Sequence, residues 1–166
     1  MFMKQLFSSI SLALTGWFLT FLFWFFFPYI FVHINIYFDL PKFYIPYGAI
    51  LGVILIVISV LVVIYCSFKH YKTGRATVVP IQNAKELIVN DIYQYTRNPI
   101  YLAAIVTFLG LFLYTGYLTL FIYFLLSIPA LHWYVVFVEE PECRKSLGGK
   151  YIQYCNKVPR WLPRLH

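Results

Sequence analysis

Charged residues are scarce in this chain of 166 residues, where Asp, Glu, Lys and Arg together make up only 11%. Soluble domains carry about 25% charged residues, and the hydrophobic share here is 61%, which excludes an ordinary soluble domain and a disordered chain. Cysteine is rare too: Cys66, Cys143 and Cys155 are too widely and irregularly spaced for a disulfide-stapled secreted domain or a metal-ligand framework. The composition therefore indicates a membrane protein.

Three charge-free runs show where the chain can cross a bilayer. They cover residues 6–32, 43–68 and 98–138, and one span needs about 20 helical residues. The first two runs give one helix each, and the bulky residues 23–28, where a cleavage site would need small ones, predict a retained span and not a cleaved signal peptide. The third run has room for a helical hairpin that turns at Tyr114-Thr115-Gly116-Tyr117. We predict an all-α integral membrane bundle of about four transmembrane helices.

Positive charge is concentrated in two segments that frame the predicted hairpin. The loop of residues 69–97 holds five basic and two acidic residues, and the tail from Glu139 holds six basic and three acidic ones. The positive-inside rule then predicts a multi-pass protein with both termini and the long loop in the cytoplasm. Since topology and anionic lipid headgroups explain this charge, nucleic acid is not a predicted partner.

Opposite charges flank the predicted hairpin. Arg97 begins its first helix, and Glu139 and Glu140 end its second, so antiparallel helices would bring these charges together at the cytoplasmic rim. Pro99 suits the first turn of a helix, and Asn98 (or the nearby Thr96) suits its cap. A helix N-terminus beside an arginine favours a carboxylate or another anion. The alternative is that these residues are only a topology anchor and interfacial charges.

The tail has the pattern of an amphipathic helix. Leu147, Tyr151, Tyr154 and Val158 recur at helical spacing, with two lysines between them and Arg144 just before them. Such a helix could serve as a membrane-surface anchor, as part of a site, or as both.

In the second predicted span, Gly48-x-x-x-Gly52 is a small-residue pattern that favours close helix packing, either within the monomer or between copies, so the oligomeric state is left open.

Four segments share their order and spacing with a known family. They are Arg97-Asn98-Pro99-Ile100-Tyr101, Glu139-Glu140, Leu147-Gly148-x-x-Tyr151-x-x-Tyr154 and Val158-Pro159-Arg160-Trp161-Leu162-Pro163. Together they resemble the isoprenylcysteine carboxyl methyltransferase family, whose superfamily includes the phospholipid methyltransferases. The chain departs from that pattern at three positions, with Asp91 and Ala103 in place of glycines and Leu147 in place of phenylalanine. Asp tolerates left-handed backbone geometry better than most residues.

The resemblance implies an integral membrane methyltransferase that uses S-adenosylmethionine and acts on a lipophilic or membrane-associated acceptor, such as an isoprenylcysteine-type carboxyl, a lipid or a thiol. Residues 1–70 would form two N-terminal helices, and residues 71–166 the catalytic region. The implied catalytic residues are Glu139, Glu140 and Arg160, and no metal is expected. The implied cofactor-binding residues are Arg97, Asn98, Pro99, Tyr101, Glu139, Glu140, Tyr151 and Tyr154.

His132 joins the cofactor-binding candidates for a different reason. It lies within the fourth predicted span, about two turns before Glu139 and on nearly the same helical face. An ionisable residue inside a membrane span suggests a functional role, although it can also be a hydrogen-bonded packing residue.

Two other interpretations of the whole chain stay open: a non-enzymatic four-helix membrane protein, and an NADPH-dependent membrane reductase of the same superfamily.

Overall fold

The structure is a computed structural model that describes residues 18, 20–72 and 87–162. The beginning of the first predicted span, the N-terminus and most of the loop between the second and third spans lie outside the described residues. The described part of the chain is helical and contains no β-strand, which confirms the all-α prediction.

Among the described residues, four apolar helices lie where the spans are predicted. They are α1 (Leu22–Tyr37), α2 (Gly48–Lys72), α3 (Pro99–Thr115) and α4 (Leu118–Tyr134). The helix α4 continues through a π-helical turn (Val135–Glu139) into α5 (Glu140–Leu147), and α6 (Gly149–Lys157) follows after Gly148. By length and composition, Gly48–Lys72 and the continuous Leu118–Leu147 helix can cross a membrane, whereas α1 and α3 are shorter apolar helices. The number of crossings and their orientation stay predictions.

The hairpin turns where the sequence predicts. The helix α3 ends at Thr115, and Gly116 follows in the left-handed conformation with φ of 73°. The Gly116 N–H donates to the Phe112 carbonyl oxygen at 2.7 Å, and the Gly116 carbonyl accepts from the Phe43 N–H at 2.8 Å. A Cβ atom at Gly116 would meet the Phe43 carbonyl, so only glycine suits both the backbone angle and this close approach.

The helices α2 and α3 contact each other through backbone as well as side chains. A Cβ atom added at Gly52 would lie 2.5 Å from the Gly110 carbonyl oxygen and 2.7 Å from the Tyr114 nitrogen. A Cβ atom added at Gly48 would lie 2.7 Å from the Leu113 carbonyl oxygen. The Gly48-x-x-x-Gly52 pattern therefore packs within the monomer.

We expect Gly52→Leu to destabilise the folded protein by about 1–3 kcal/mol, because the side chain must push two backbones apart. The measurement is the melting temperature of the purified protein in detergent. Leu51→Ala is the matched control, since Leu51 is 48% exposed on the outer side of the same helix. Equal melting temperatures for wild-type and Gly52→Leu protein would contradict the close packing of α2 on α3.

The core that holds the hairpin in place is largely aromatic. The Phe108 and Tyr123 rings lie 4.8 Å apart between α3 and α4, and the Tyr123 hydroxyl donates to the Phe23 carbonyl oxygen of α1 at 2.6 Å. Near the other end of α1, the Asn35 side-chain oxygen accepts a hydrogen bond from the Thr119 backbone N–H at 3.1 Å. These contacts fix α1 against α4 and so fix the direction in which the ends of α3 and α4 face.

Candidate active site

The ends of α3 and α5 bring opposite charges together. The Arg97 Nη1 atom lies 3.0 Å from Glu140 Oε1, as the antiparallel hairpin predicts. Glu140 is 2% exposed, and the Arg97 side chain is 10% exposed. A buried carboxylate is tolerated only where it is paired and hydrogen-bonded, so the buried Glu140 carboxylate needs a cationic partner such as Arg97.

Two further arginines complete the shell around Glu140. The Arg160 Nε atom donates to Glu140 Oε1 at 2.7 Å, and its Nη2 atom donates to Oε2 at 3.0 Å. The Arg144 Nη2 atom lies 3.5 Å from Oε2. The hydrogen bond with the Glu140 carboxylate raises the pKa of the Arg160 guanidinium, so this group stays charged. Three positive charges around one negative charge leave the cluster cationic.

Residues 158–162, which we call the strap, cross the N-terminal end of α3. The Arg97 backbone N–H donates to the Pro159 carbonyl oxygen at 3.0 Å. The Arg160 carbonyl oxygen accepts from Thr96 Oγ1 at 3.2 Å and from Asn98 Nδ2 at 3.0 Å. Asn98 occupies the N-cap position but makes no side-chain cap hydrogen bond. Its amide group holds the strap in place instead.

The tail helix α6 packs its apolar stripe against the protein. Tyr151, Tyr154 and Val158 are buried in one cluster, against which Leu87 and Leu147 pack. The Tyr154 hydroxyl donates to the Tyr93 carbonyl oxygen at 2.6 Å. The predicted helix is therefore present, but the stripe that would anchor it on a membrane surface is covered by protein. The helix and the strap form a cap over the charged cluster.

Glu139 faces a different environment from Glu140. Its carboxylate is hydrogen-bonded to the Tyr101 hydroxyl and acts electrostatically on Tyr134. The Tyr101 and Tyr134 rings meet edge to face, with centroids 6.1 Å apart. The adjacent glutamates are thus divided between an arginine cluster and a tyrosine pair.

Sequence reasoning missed Tyr134 because of the π-helical turn. Tyr134 precedes Glu139 by five residues, which in a regular α-helix places two side chains about 140° apart. The turn Val135–Glu139 closes with the Glu140 N–H donating to the Val135 carbonyl oxygen, an i→i+5 bond that changes the register. The same turn separates His132 from Glu139, so the expected shared face is not kept. His132 is exposed, and its Nδ1 atom accepts from Trp161 Nε1 of the strap at 3.0 Å.

Two more contacts at the rim were not predicted. The Arg97 Nη1 atom contacts Cys155 Sγ at 2.6 Å, a contact for which the sequence carries no motif. Asp91, which stands in place of a family glycine, has φ of 55° and forms an ion pair with Lys69 at the end of α2. The left-handed conformation explains why glycine suits this position and how aspartate can occupy it.

The assembled site offers three kinds of contact to a ligand. Arg97 and the N-terminus of α3 present positive charge, Glu139 presents negative charge, and the paired rings of Tyr101 and Tyr134 present aromatic surface. This set suits a small zwitterionic molecule with a further positive centre. Among the sequence-predicted residues, Tyr151, Tyr154 and Arg160 supply the cap, and Pro99 begins α3 at the rim.

Comparison with known proteins identifies a family. A family model described as phospholipid methyltransferase matches residues 47–150, which is more than half of the chain. The matched region runs from the start of α2 to the start of α6, and it includes Arg97, Glu139 and Glu140. The strap lies beyond it. No curated protein matches the chain.

Proposed function

This chain belongs to the phospholipid methyltransferase family, and we propose that it transfers a methyl group from S-adenosylmethionine to a lipophilic or membrane-associated acceptor. The observation that supports the proposal best is the division of the two glutamates at the hairpin rim. Glu140 holds Arg97 and Arg160 together, and Glu139 remains on the tyrosine side. Residues 71–166 are proposed as the catalytic region, with its site on the cytoplasmic side.

The residues present fit the donor. S-adenosylmethionine carries a carboxylate, an ammonium group, ribose hydroxyls and a sulfonium. The Arg97 Nε atom is buried and has no hydrogen-bond partner among the described residues, so this guanidinium has a donor left for a carboxylate. Glu139, on the tyrosine side of the site, is the carboxylate proposed to bind the ammonium group or the ribose hydroxyls.

The protein has little covalent chemistry to perform. The bound donor supplies an electrophilic methyl group, and the chain aligns the acceptor and excludes water, which can supply much of the barrier reduction. The cap of α6 and the strap excludes water above the rim. An acceptor hydroxyl or amine needs a base, and Glu139 takes that role only if the donor does not engage it, because both oxygens of Glu140 are bound by arginine. A thiolate or a carboxylate acceptor needs no base.

The surroundings of the site favour an acceptor that arrives from the bilayer. Large apolar side chains are exposed along α2 and α4, among them Ile54, Ile58, Leu61, Leu125 and Leu126. Such continuous apolar surface suits contact with lipid. The proposed acceptor is therefore a lipid, a lipid-modified carboxyl group or a lipophilic thiol, while the donor enters from the cytoplasm.

The test is calorimetric titration of the full-length protein in detergent with S-adenosylmethionine, together with transfer of a labelled methyl group into the organic extract of added membranes. We expect saturable binding and extractable label. Glu139→Gln is expected to weaken donor binding about tenfold, because it replaces a charged hydrogen-bond partner with a neutral one. Glu142→Gln, which removes the same charge three residues further along the chain, is the matched control and should bind like wild type.

Other outcomes would select the other classes of function. A folded wild-type protein that shows no saturable binding at millimolar donor would overturn the proposal. Saturable binding of NADPH in its place would indicate a membrane reductase, and binding of neither would indicate a non-enzymatic protein. Efficient methylation of water-soluble acceptors alone would contradict the proposed entry of the acceptor from the bilayer.

A further inference from the structure

We infer that Tyr134 is a further donor-binding residue, whose ring recognises the positive charge of the sulfonium. The inference rests on the proposed function and adds a residue outside the motifs on which the family resemblance depends. It also assigns a role to the π-helical turn at the end of α4.

The geometry places Tyr134 with the ligand-facing residues. Its ring meets the Tyr101 ring at 69° with centroids 6.1 Å apart, and the Glu139 carboxylate acts on both tyrosines. In an edge-to-face pair, each ring keeps at least one face that its partner does not cover. Tyr134 is half-buried, so it is held in place yet can still contact a ligand.

The π-helical turn explains how this residue reaches the site. A regular α-helix from Tyr134 to Glu140 would direct Tyr134 and Glu139 to different faces. Inserting the i→i+5 bond between Val135 and Glu140 brings the two residues to one side of the helix. Single π-helical turns inside α-helices are rare, and they occur frequently at functional sites. The placement of Tyr134 is the functional gain from this turn.

An aromatic face distinguishes the donor from its product. A cation over a tyrosine ring is attracted by the ring quadrupole, whereas a neutral sulfur is not attracted in this way. When the methyl group moves to the acceptor, the electron pair of the broken carbon–sulfur bond stays on sulfur, and the sulfonium becomes a neutral thioether. The contact with Tyr134 therefore favours the donor over S-adenosylhomocysteine and aids release of the product.

The test compares the dissociation constants of S-adenosylmethionine and S-adenosylhomocysteine by calorimetric titration of the full-length protein. Tyr134→Met keeps much of the side-chain volume and removes the ring. We expect it to weaken binding of the sulfonium about tenfold while the thioether changes less than twofold. Tyr134→Phe keeps the ring and should retain the wild-type preference.

Trp133→Leu is the matched control, since Trp133 is the adjacent aromatic residue and is 58% exposed. Tyr134→Leu repeats the test if the methionine variant does not fold. Equal weakening of both ligands in a folded variant would assign Tyr134 a structural role only and overturn the inference, as would an unchanged preference. If the wild-type protein binds both ligands and Tyr134→Met still prefers S-adenosylmethionine to the same degree, the proposed function stands and this inference alone is rejected. A wild-type protein that binds neither ligand would reject both.

Discussion

Replacing Arg97 with alanine is expected to lower the affinity for S-adenosylmethionine by about a hundredfold or more, close to loss of measurable binding. Arg97 is the buried cation at the N-terminus of α3, with an Nε donor that has no partner among the described residues. A charge-assisted contact with a carboxylate is worth about 1.5–3 kcal/mol, and a hundredfold change in affinity corresponds to about 2.8 kcal/mol. Arg97→Lys keeps the charge without the planar fork, so its affinity should lie between the two.

The matched control for this prediction is Arg144→Ala. Arg144 contacts the same carboxylate at 3.5 Å, but its side chain is 58% exposed, and exposed ion pairs contribute little. This variant should bind the donor within about twofold of wild type. Calorimetric titration measures the affinities, and melting temperatures verify that each variant is folded. Wild-type affinity in a folded Arg97→Ala protein would remove Arg97 from the donor site.

The parts of the fold that follow from local signals could be predicted from the sequence. A charge-free run of residues 98–138 is too long for one span and contains a single small-residue turn, which placed the hairpin turn at Gly116. Once the hairpin was predicted, the proximity of Arg97 and Glu140 followed from antiparallel helices. The tolerance of Asp91 for a left-handed conformation likewise depends on one residue and its own backbone.

The cap could be predicted only in part, because periodicity shows that an apolar face exists but not what covers it. The stripe containing Tyr151 and Tyr154 fits a membrane surface and a protein surface equally well. The choice depends on contacts between residues far apart in the chain, such as the hydrogen bond from Tyr154 to Tyr93. The position of the strap depends on backbone carbonyl groups, which leave no trace in the side-chain sequence.

The division of Glu139 and Glu140 between two environments was also beyond sequence reasoning. Adjacent residues on a helix always diverge in direction, but which of them faces the arginines depends on the helical register at that point. The π-helical turn sets this register, and none of the residues from Val135 to Val138 carries a distinctive signal for it. The same turn removes the expected alignment of His132 with Glu139.

Replacing Glu140 with alanine is expected to destabilise the protein by about 3 kcal/mol, a large fraction of the stability of a typical folded domain. Glu140 is 2% exposed, and its removal leaves the guanidinium groups of Arg97 and Arg160 facing each other without a counter-charge. Breaking a buried ion pair by removing one partner typically costs about 3–5 kcal/mol, and the 29% exposure of Arg160 places the expected value at the lower end of that range. The measurement is the free energy of unfolding in mixed detergent micelles.

Limited trypsin digestion provides an independent measure of the same effect. Without Glu140 the strap loses its side-chain attachment, so cleavage after Lys157 and Arg160 should become faster than in wild-type protein.

The double variant Glu140→Gln with Arg160→Met distinguishes charge imbalance from lost packing, because it removes one carboxylate and one of its guanidinium partners together. If the cluster acts through its charges, the double variant should be more stable than the two single effects predict by addition. Strict additivity would show that Glu140 and Arg160 stabilise the cap independently, and the strap would then not depend on this ion pair.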